Sequence, residues 1–566
     1  MKVFLISMCL LLFGACGDKV EEKIVQGEKT VQQEQVTEVK EKMDKNQELN
    51  TFLGAEPKTL DPSRSTDAYS TAILSKTNEG LLSGEMDENG VIEHVVPAGA
   101  ESWSVSEDGL VWTFNLRKEA IWADGKPVTA DQYQYGIVRT LDPKVGSNYA
   151  FLLYPIKGAK EFNAGTASEE DVLVKALDDY TLQITLSHPT PYFEELGYFK
   201  VMFPQRKDIV EKYGEAYGSE GDHILSNGPF ILKEWVHNNK VILEKNPNYW
   251  DSENYKLTKI SMFIVPDENS RMNLTITGQV DMGGGVSKPE WIDVMEKDGN
   301  FINLKRYDMG TNYVVFNTTS RYLKNEKVRK AFSLAMDREE INKVMFDGLF
   351  IPAYGFVSKG VKIGDKEYRD LVEEPLKKLI AENIDPKALL IEGLEELGED
   401  ADPAKMDITV LASSTTGWER KYSELLQQML KNRLGVNIKA DFVEWPVYQK
   451  RTDELDYEIG GMAWIGDYND PNTFLDMWVT GAGIIPTGWT NEEFDQLIEK
   501  ASLTSNQEER MKYFQEAEDI LVYRDAVIAP TLYRVSNGYY RKYIKNYNPT
   551  NVAPYTLKNV YIDGRE

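Results

Sequence analysis

The sequence predicts a mixed α/β protein with at least two lobes. From Leu53 onward, short apolar or β-branched runs bounded by Gly, Pro, Asn and Asp alternate with longer amphipathic segments. At 566 residues, 42% of them apolar, the chain also exceeds what a single hydrophobic core requires.

Residues 1–15 read as a signal peptide, because one Lys precedes an apolar run too short to span a bilayer. The run ends in Gly14, Ala15 and Cys16, a small-small-Cys pattern similar to a bacterial lipobox, which would place a diacylglycerol on Cys16. Cys9 lies inside the leader and is the other of the two cysteines, so the mature chain is expected to hold no disulfide. Residues 16–48 read as the lipidated cysteine and a flexible tether, rich in Lys, Glu, Gln and Val and without aromatics. The expected location is the outer face of the cytoplasmic membrane, held by the lipid alone, since no later stretch approaches eighteen consecutive apolar residues.

In the folded part, period-two alternation predicts strands at 110–117, 181–186 and 240–246. Helical spacing predicts one helix from Asn325 through Phe346, with Val328, Phe332, Leu334 and Ile341 on one face. A second helix should close at Gly435, and a third runs through EERMKYFQEAEDILV. Residues 362–403 are acidic, Leu-rich and helical in pattern, as expected of a surface insertion. Gly283 to Gly285 lack the Lys of a phosphate loop and suggest a mobile turn.

The formal charge of −27 disfavours nucleic acid and anionic membrane surfaces as partners. His94, His188, His223 and His237 are scattered singly, so no metal site is expected, and no cofactor. The run from Asp467 to Asn472 departs from a calcium loop, with Pro471 at the fifth position and no Gly at the sixth. No nucleophile elbow or metalloprotease motif is present, and the chain is read as a binding protein rather than an enzyme.

Several blocks, in order, resemble the oligopeptide- and dipeptide-binding proteins of bacterial ABC importers, solute-binding protein family 5. They are AEPKTLDP at Ala55, NEGLL at Asn78, the long block from Ser102 to Arg139, SNGPFILKEW at Ser226, NPNYWD at Asn246, NEKVRKAFSLAMDREEI at Asn325 and WIGDYNDPNTFLDMW at Trp464. The resemblance implies a periplasmic-binding-protein-like fold of type II, whose two α/β lobes are joined by a two-strand hinge and close over ligand. Lobe I would comprise residues 49–80, 203–304 and 531–566, an inserted domain 81–202, and lobe II 305–530. It also implies an oligopeptide ligand, delivered by a monomer to the permease and ATPase subunits of an importer.

By the same resemblance Asp467 pairs with the peptide α-ammonium and Trp464 lines a side-chain pocket. The backbone of Ala463 and Ile465 extends a ladder with the peptide, Ala68 bonds it from the opposite lobe, and Tyr149 and Trp445 contact it. A carboxylate is what an ammonium stripped of water needs. One departure stands out. Gly461 occupies the place where oligopeptide binders of enteric bacteria carry an Arg for the ligand carboxylate, so length is expected to be loosely set, or Arg451 takes that role. The same scaffold serves dipeptides, haem, nickel complexes and opines, and a surface interaction or chaperone role is the rival outside transport.

Overall fold

The computed structural model describes residues 43–86, 92–286, 288–482, 484–549 and 556–565. The signal peptide, Cys16 and the tether through residue 42 lie outside them. The last residues assigned to the tether already belong to the fold: the Gln47 side chain bonds both the N–H and the C=O of Ile562, and Asp44 N–H donates to Ile562 O at 3.0 Å.

Three sheets organise the chain, and the period-two runs fall where they were expected. Strands Glu48–Leu53, Lys259–Ile264, Lys240–Lys245 and Phe230–Val236 form the first, with its outer pair parallel. The second is antiparallel, in the order Ala100–Val105, Val111–Leu116, Thr181–Thr185, Val174–Asp178. The third is built on two long strands, β1 (Phe301–Phe316) and β3 (Ile528–Arg541), flanked by β2 (Ile459–Ile465), Thr409–Ala412 and Lys439–Phe442 on one side and Met282–Gly285 on the other. Three helices carry residues of the candidate site and of a neighbouring cavity: α1 (Ala68–Thr77), α2 (Gly417–Leu434) and α3 (Trp445–Asp453). Gly435 closes α2 at φ 83°, as its position predicts.

The 16-residue β1 is about 50 Å long at ~3.3 Å per residue, long enough to serve both lobes. Its first half pairs with residues 535–541 of β3 and its second with residues 528–533. Between Tyr307 and Thr311 the register slips, Met309 adopts φ 43°, and Arg534 Nε donates to Asp308 Oδ2 at 2.8 Å. A side chain at Gly310 would lie 2.9 Å from Arg534 Cδ and 3.0 Å from Trp464 O, so the bulge requires glycine there. The pairing of these two long strands is thus interrupted at one level.

One buried cluster runs from Leu81 through Met202 and on into residues from Met309 to Ile528. Tyr192 stacks on Tyr468 across that junction, centroids 4.9 Å apart and nearly parallel. The two stretches therefore share one packed interior.

The family blocks explain themselves once folded. Glu79 of NEGLL is buried and accepts from Tyr249 Oη and from Trp250 Nε1 (2.9 Å) of NPNYWD, while Asn227 of SNGPF bonds its backbone N–H and C=O at 3.1 Å each. Arg117 lies 3.8 Å over the Trp250 ring. Burial pushes the Glu79 carboxyl up to about 7, against the pull of its two donors.

Three expectations are corrected. The helix expected from Asn325 to Phe346 is two, Glu326–Ala335 and Arg338–Phe346. Asp337 caps the second by accepting from Glu340 N–H, and the buried Arg338 guanidinium bonds the carbonyls of Ser333, Met336, Ala353 and Pro530. The triple glycine is no turn but the strand Met282–Gly285, where a side chain at Gly284 would meet the Phe52 ring at 2.2 Å. Residues 362–403 are not merely a surface excursion: Leu376, Leu379, Leu390 and Leu394 are buried, and Arg369 pairs with Glu518 in the interior.

Candidate functional site

Strand β2 lies against β1 with Gly310 opposite Ile465 and Val314 opposite Gly461. On its other side, Thr409–Ala412 pairs only with Ile459 and Gly460. Among the described residues no strand covers the edge from Gly461 to Ile465. Gly466 N–H donates to Met309 O at 3.0 Å. Alternation in an antiparallel ladder then turns Trp464 and Met462 toward β1, and the N–H and C=O of Ala463 and Ile465 toward the open edge. Gly461 faces the same way, and its carbonyl accepts from Tyr448 Oη at 2.9 Å. Such an edge is a template for another strand.

Asp467 stands just past the end of that edge. Its N–H donates to Thr473 Oγ1 at 2.9 Å, and Tyr149 Oη donates to its Oδ1 at 3.3 Å. Oδ2 is out of reach of solvent and has no hydrogen-bond partner. Its neighbours in the motif are bonded within the protein: Asp470 receives Arg510 Nη1 and Nη2 at 2.8 and 2.9 Å, and Asp476 accepts on Oδ2 from Tyr468 Oη (3.1 Å) and Asn472 Nδ2 (2.7 Å). Asp467 Oδ2 and Asp476 Oδ1 are both buried without a donor, and of the two residues Asp467 is the one that stands at the end of the open strand edge. Burial pushes the Asp467 carboxyl up to about 7, opposed by the charge of Lys200 and the bond from Tyr149.

Lys200 was not anticipated. It is 2% exposed, its Nζ donates to Thr71 Oγ1 of α1 at 2.6 Å and lies 5.0 Å from the Tyr149 ring centroid. Burial lowers its ammonium to about 8, against the charges of Asp467 and Asp67. The lone Lys inside the apolar run YFKVMF was the one available signal. Glu195 was missed too; its Oε2 accepts from Tyr198 Oη at 2.9 Å and from Asn469 N–H at 3.1 Å across the same junction.

Of the other expected residues, Trp464 is 8% exposed, bonds Thr473 O through Nε1 at 2.8 Å, and places its ring centroid 6.5 Å from that of Tyr149. Trp445, in the first turn of α3, stacks on Tyr448 at 5.7 Å, and its buried Nε1 has no acceptor. Ala68 is the exposed first residue of α1, joined to the cluster only through Thr71 and Lys200. Arg451 is not available for a ligand carboxylate: it already holds Asp441 at 2.6 Å and Asp456 at 2.7 Å. Among the described residues no group of three His, Cys, Asp or Glu is placed to hold a metal ion.

The family model described as "Bacterial extracellular solute-binding proteins, family 5 Middle" matches residues 94–485. The oligopeptide-binding protein OppA of Bacillus subtilis is 34% identical over 480 residues, which are 84% of this chain and 85% of that protein. Among solved structures, Listeria monocytogenes OppA bound to peptide superposes with a TM-score of 0.83 at 30% identity, over 92% of this chain and all of the other. The murein tripeptide-binding protein MppA of Escherichia coli gives 0.82 at 28% identity, over 92% of this chain and 99% of the other. A structure of MppA in its unliganded open form gives only 0.57 at the same 28% identity, over 92% of this chain and 98% of the other. With sequence and coverage held nearly constant, the structure is thus much less similar to that open form than to the other structure of the same protein.

Proposed function

We propose, from the premise that this chain belongs to the bacterial extracellular solute-binding proteins of family 5, that it is an oligopeptide receptor of an ABC importer. The observation that carries the reading is the buried, unpartnered Oδ2 of Asp467 at the end of an uncovered strand edge. A peptide laid antiparallel to β2 would bond the free N–H and C=O groups of Ala463 and Ile465 and bring its α-ammonium to Asp467. The gripped groups are those every peptide shares, so side chains are left to pockets lined by Trp464 and Trp445. Tyr149 holds Asp467 from the inserted domain, and Ala68 offers the start of α1 from lobe I. Arg510 and Thr473 fix the segment between.

On this reading closure is the act of capture. Ligand is touched by both bodies only when the lobes meet, so it stabilises the closed form, which then docks on the permease. Lobe I is taken as 49–80, 203–304 and 531–566, the inserted domain as 81–202 and lobe II as 305–530. Export through the leader and acylation of Cys16 would hold this receptor at the membrane, with ATP hydrolysed by other subunits. It breaks no bond in its ligand.

Native and then denaturing mass spectrometry of protein purified from cells, without added ligand, tests the reading. Co-purified peptides are the expected result. Protein that is empty, is not stabilised by a peptide library and is stabilised by some other solute would overturn it.

A further inference from the structure

Alternate residues of β2 turn away from β1, and the two ends of their ladder fix which. Gly466 N–H donates to Met309 O at 3.0 Å and Asn317 N–H to Glu458 O at 2.9 Å. The even-numbered residues between them therefore bond β1, and the carbonyls of Ile465, Ala463 and Gly461 point to the other side. Thr409–Ala412 leaves that side after Gly460. Three carbonyls in a row would serve an added strand, but the third is taken. Tyr448 of α3 is buried, and its hydroxyl donates to Gly461 O at 2.9 Å. Its ring is held against that of Trp445, centroids 5.7 Å apart and nearly parallel. A side-chain carbon on Gly460 would lie 2.6 Å from the hydroxyl oxygen, so glycine makes room for it.

This contact does more than satisfy a buried phenol. Adjoining strands lie ~4.8 Å apart and bridge the gap with N–H···O bonds of ~2.9 Å. The Tyr448 hydroxyl is as far from Gly461 O as the amide of an added strand would be, and it brings a ring and a helix with it. A peptide antiparallel to β2 with its ammonium at Asp467 sets about its first residue opposite Ile465. Opposed residues advance one for one, so its third falls opposite Ala463 and its fifth opposite Gly461. The third amide finds the free carbonyl of Ala463. The fifth meets a carbonyl already bonded.

We propose that Tyr448 is a specificity-determining residue that ends the main-chain ladder, so that the receptor grips the backbone of a peptide through about its third residue and no farther. The proposal rests on the peptide-receptor reading above and defines which part of a ligand that site holds. Beyond the third residue the ligand backbone keeps its bonds to water, and each further residue contributes through its side chain alone. Peptide length is left open because a hydroxyl closes the row of acceptors before a longer ladder can form.

Calorimetry with the ligand-stripped protein tests it, using an alanine hexapeptide and two versions in which the amide N–H of the third or of the fifth residue is replaced by an ester oxygen. The replacement removes one donor and keeps the shape of the chain. In wild type the third-residue ester should bind about threefold to tenfold more weakly than the parent, and the fifth-residue ester within about twofold of it. In Tyr448→Phe the freed Gly461 carbonyl should accept the fifth amide, so the fifth-residue ester should fall behind the parent by about threefold or more, with the third-residue penalty unchanged. If both esters are weakened alike in wild type, or neither is, the stop at Tyr448 is overturned and the peptide receptor stands. A folded Tyr448→Phe that stays indifferent to the fifth-residue ester overturns the role of the hydroxyl. If no peptide binds, both readings fall. Should Tyr448→Phe fail to fold, the two esters on wild type still decide where the ladder ends.

Discussion

Glu79 and Asp467 are both buried carboxyls in family blocks, and burial lifts both to about 7. Their surroundings differ. Glu79 is answered on both oxygens by Tyr249 and Trp250. Asp467 is answered on one oxygen, and weakly, by Tyr149. A saturated buried carboxyl ties segments of the fold together; an unsaturated one at a strand edge costs stability until a partner arrives. Residue type and burial are alike in the two, and the hydrogen bonds they receive differ.

The comparison breaks most readily at Asp467. Asp467→Ala should weaken peptide binding by roughly 2–5 kcal/mol, about 30-fold to a few thousand-fold, by leaving the ligand ammonium buried and unpaired. The melting temperature of the peptide-free variant should fall less than in Glu79→Ala, since only the weak bond from Tyr149 loses its acceptor and an unsatisfied oxygen is removed with it; calorimetry and a thermal melt read both quantities. Wild-type affinity in this variant would end the assignment. Glu79→Ala should do the reverse. Stripping Tyr249 and Trp250 of their acceptor should lower unfolding stability by roughly 1–3 kcal/mol, with peptide affinity of the folded protein retained, as urea titration and calorimetry would show.

Acidity sharpens the contrast further. A peptide ammonium requires Asp467 ionised, so below about pH 7 binding must expel a proton from it. Affinity should drop about tenfold from pH 7 to 5.5, a slope kept in Glu79→Gln and lost in Asp467→Ala. Lys200, Tyr149 and the buried Asp476 face the same carboxyl, and Lys200 stays charged over this range. Stability of the empty protein runs the other way. Both carboxyls have folded values raised above their unfolded ones, so their contribution is whole at low pH and is lost as pH rises through about 7. The smallest effect belongs to Lys58, which meets Asp453 at 2.7 Å with both side chains about a third exposed. Lys58→Ala should weaken peptide binding by ~0.2–1 kcal/mol, and by less as salt is added.

Local pattern was enough for the strands at Val111–Leu116, Thr181–Thr185 and Lys240–Lys245 and for the close of α2 at Gly435. It failed where the cause lies far along the chain. Gly284 is explained by Phe52, and the helix break at Asp337 by carbonyls as distant as Pro530 that the Arg338 guanidinium gathers. For the candidate site, Asp467 and Trp464 were named from one family block and Tyr149 from the same resemblance, and the three lie near one another. Lys200 was not, because its role depends on Thr71, and neither was the commitment of Arg451 to Asp441 and Asp456.

On the proposed reading, the slipped register at Asp308–Gly310 would set an order of events on release. Gly466 is bonded to Met309 at that level, so on the proposed reading Asp467 would sit near the axis of lobe closure. Displacement in a rotation grows with radius, and Gly461 lies ~13 Å farther out along β2 than Ile465. As the mouth widens, the far end of a long ligand meets water first and its amino end last, so an incoming peptide would dock head first and leave tail first.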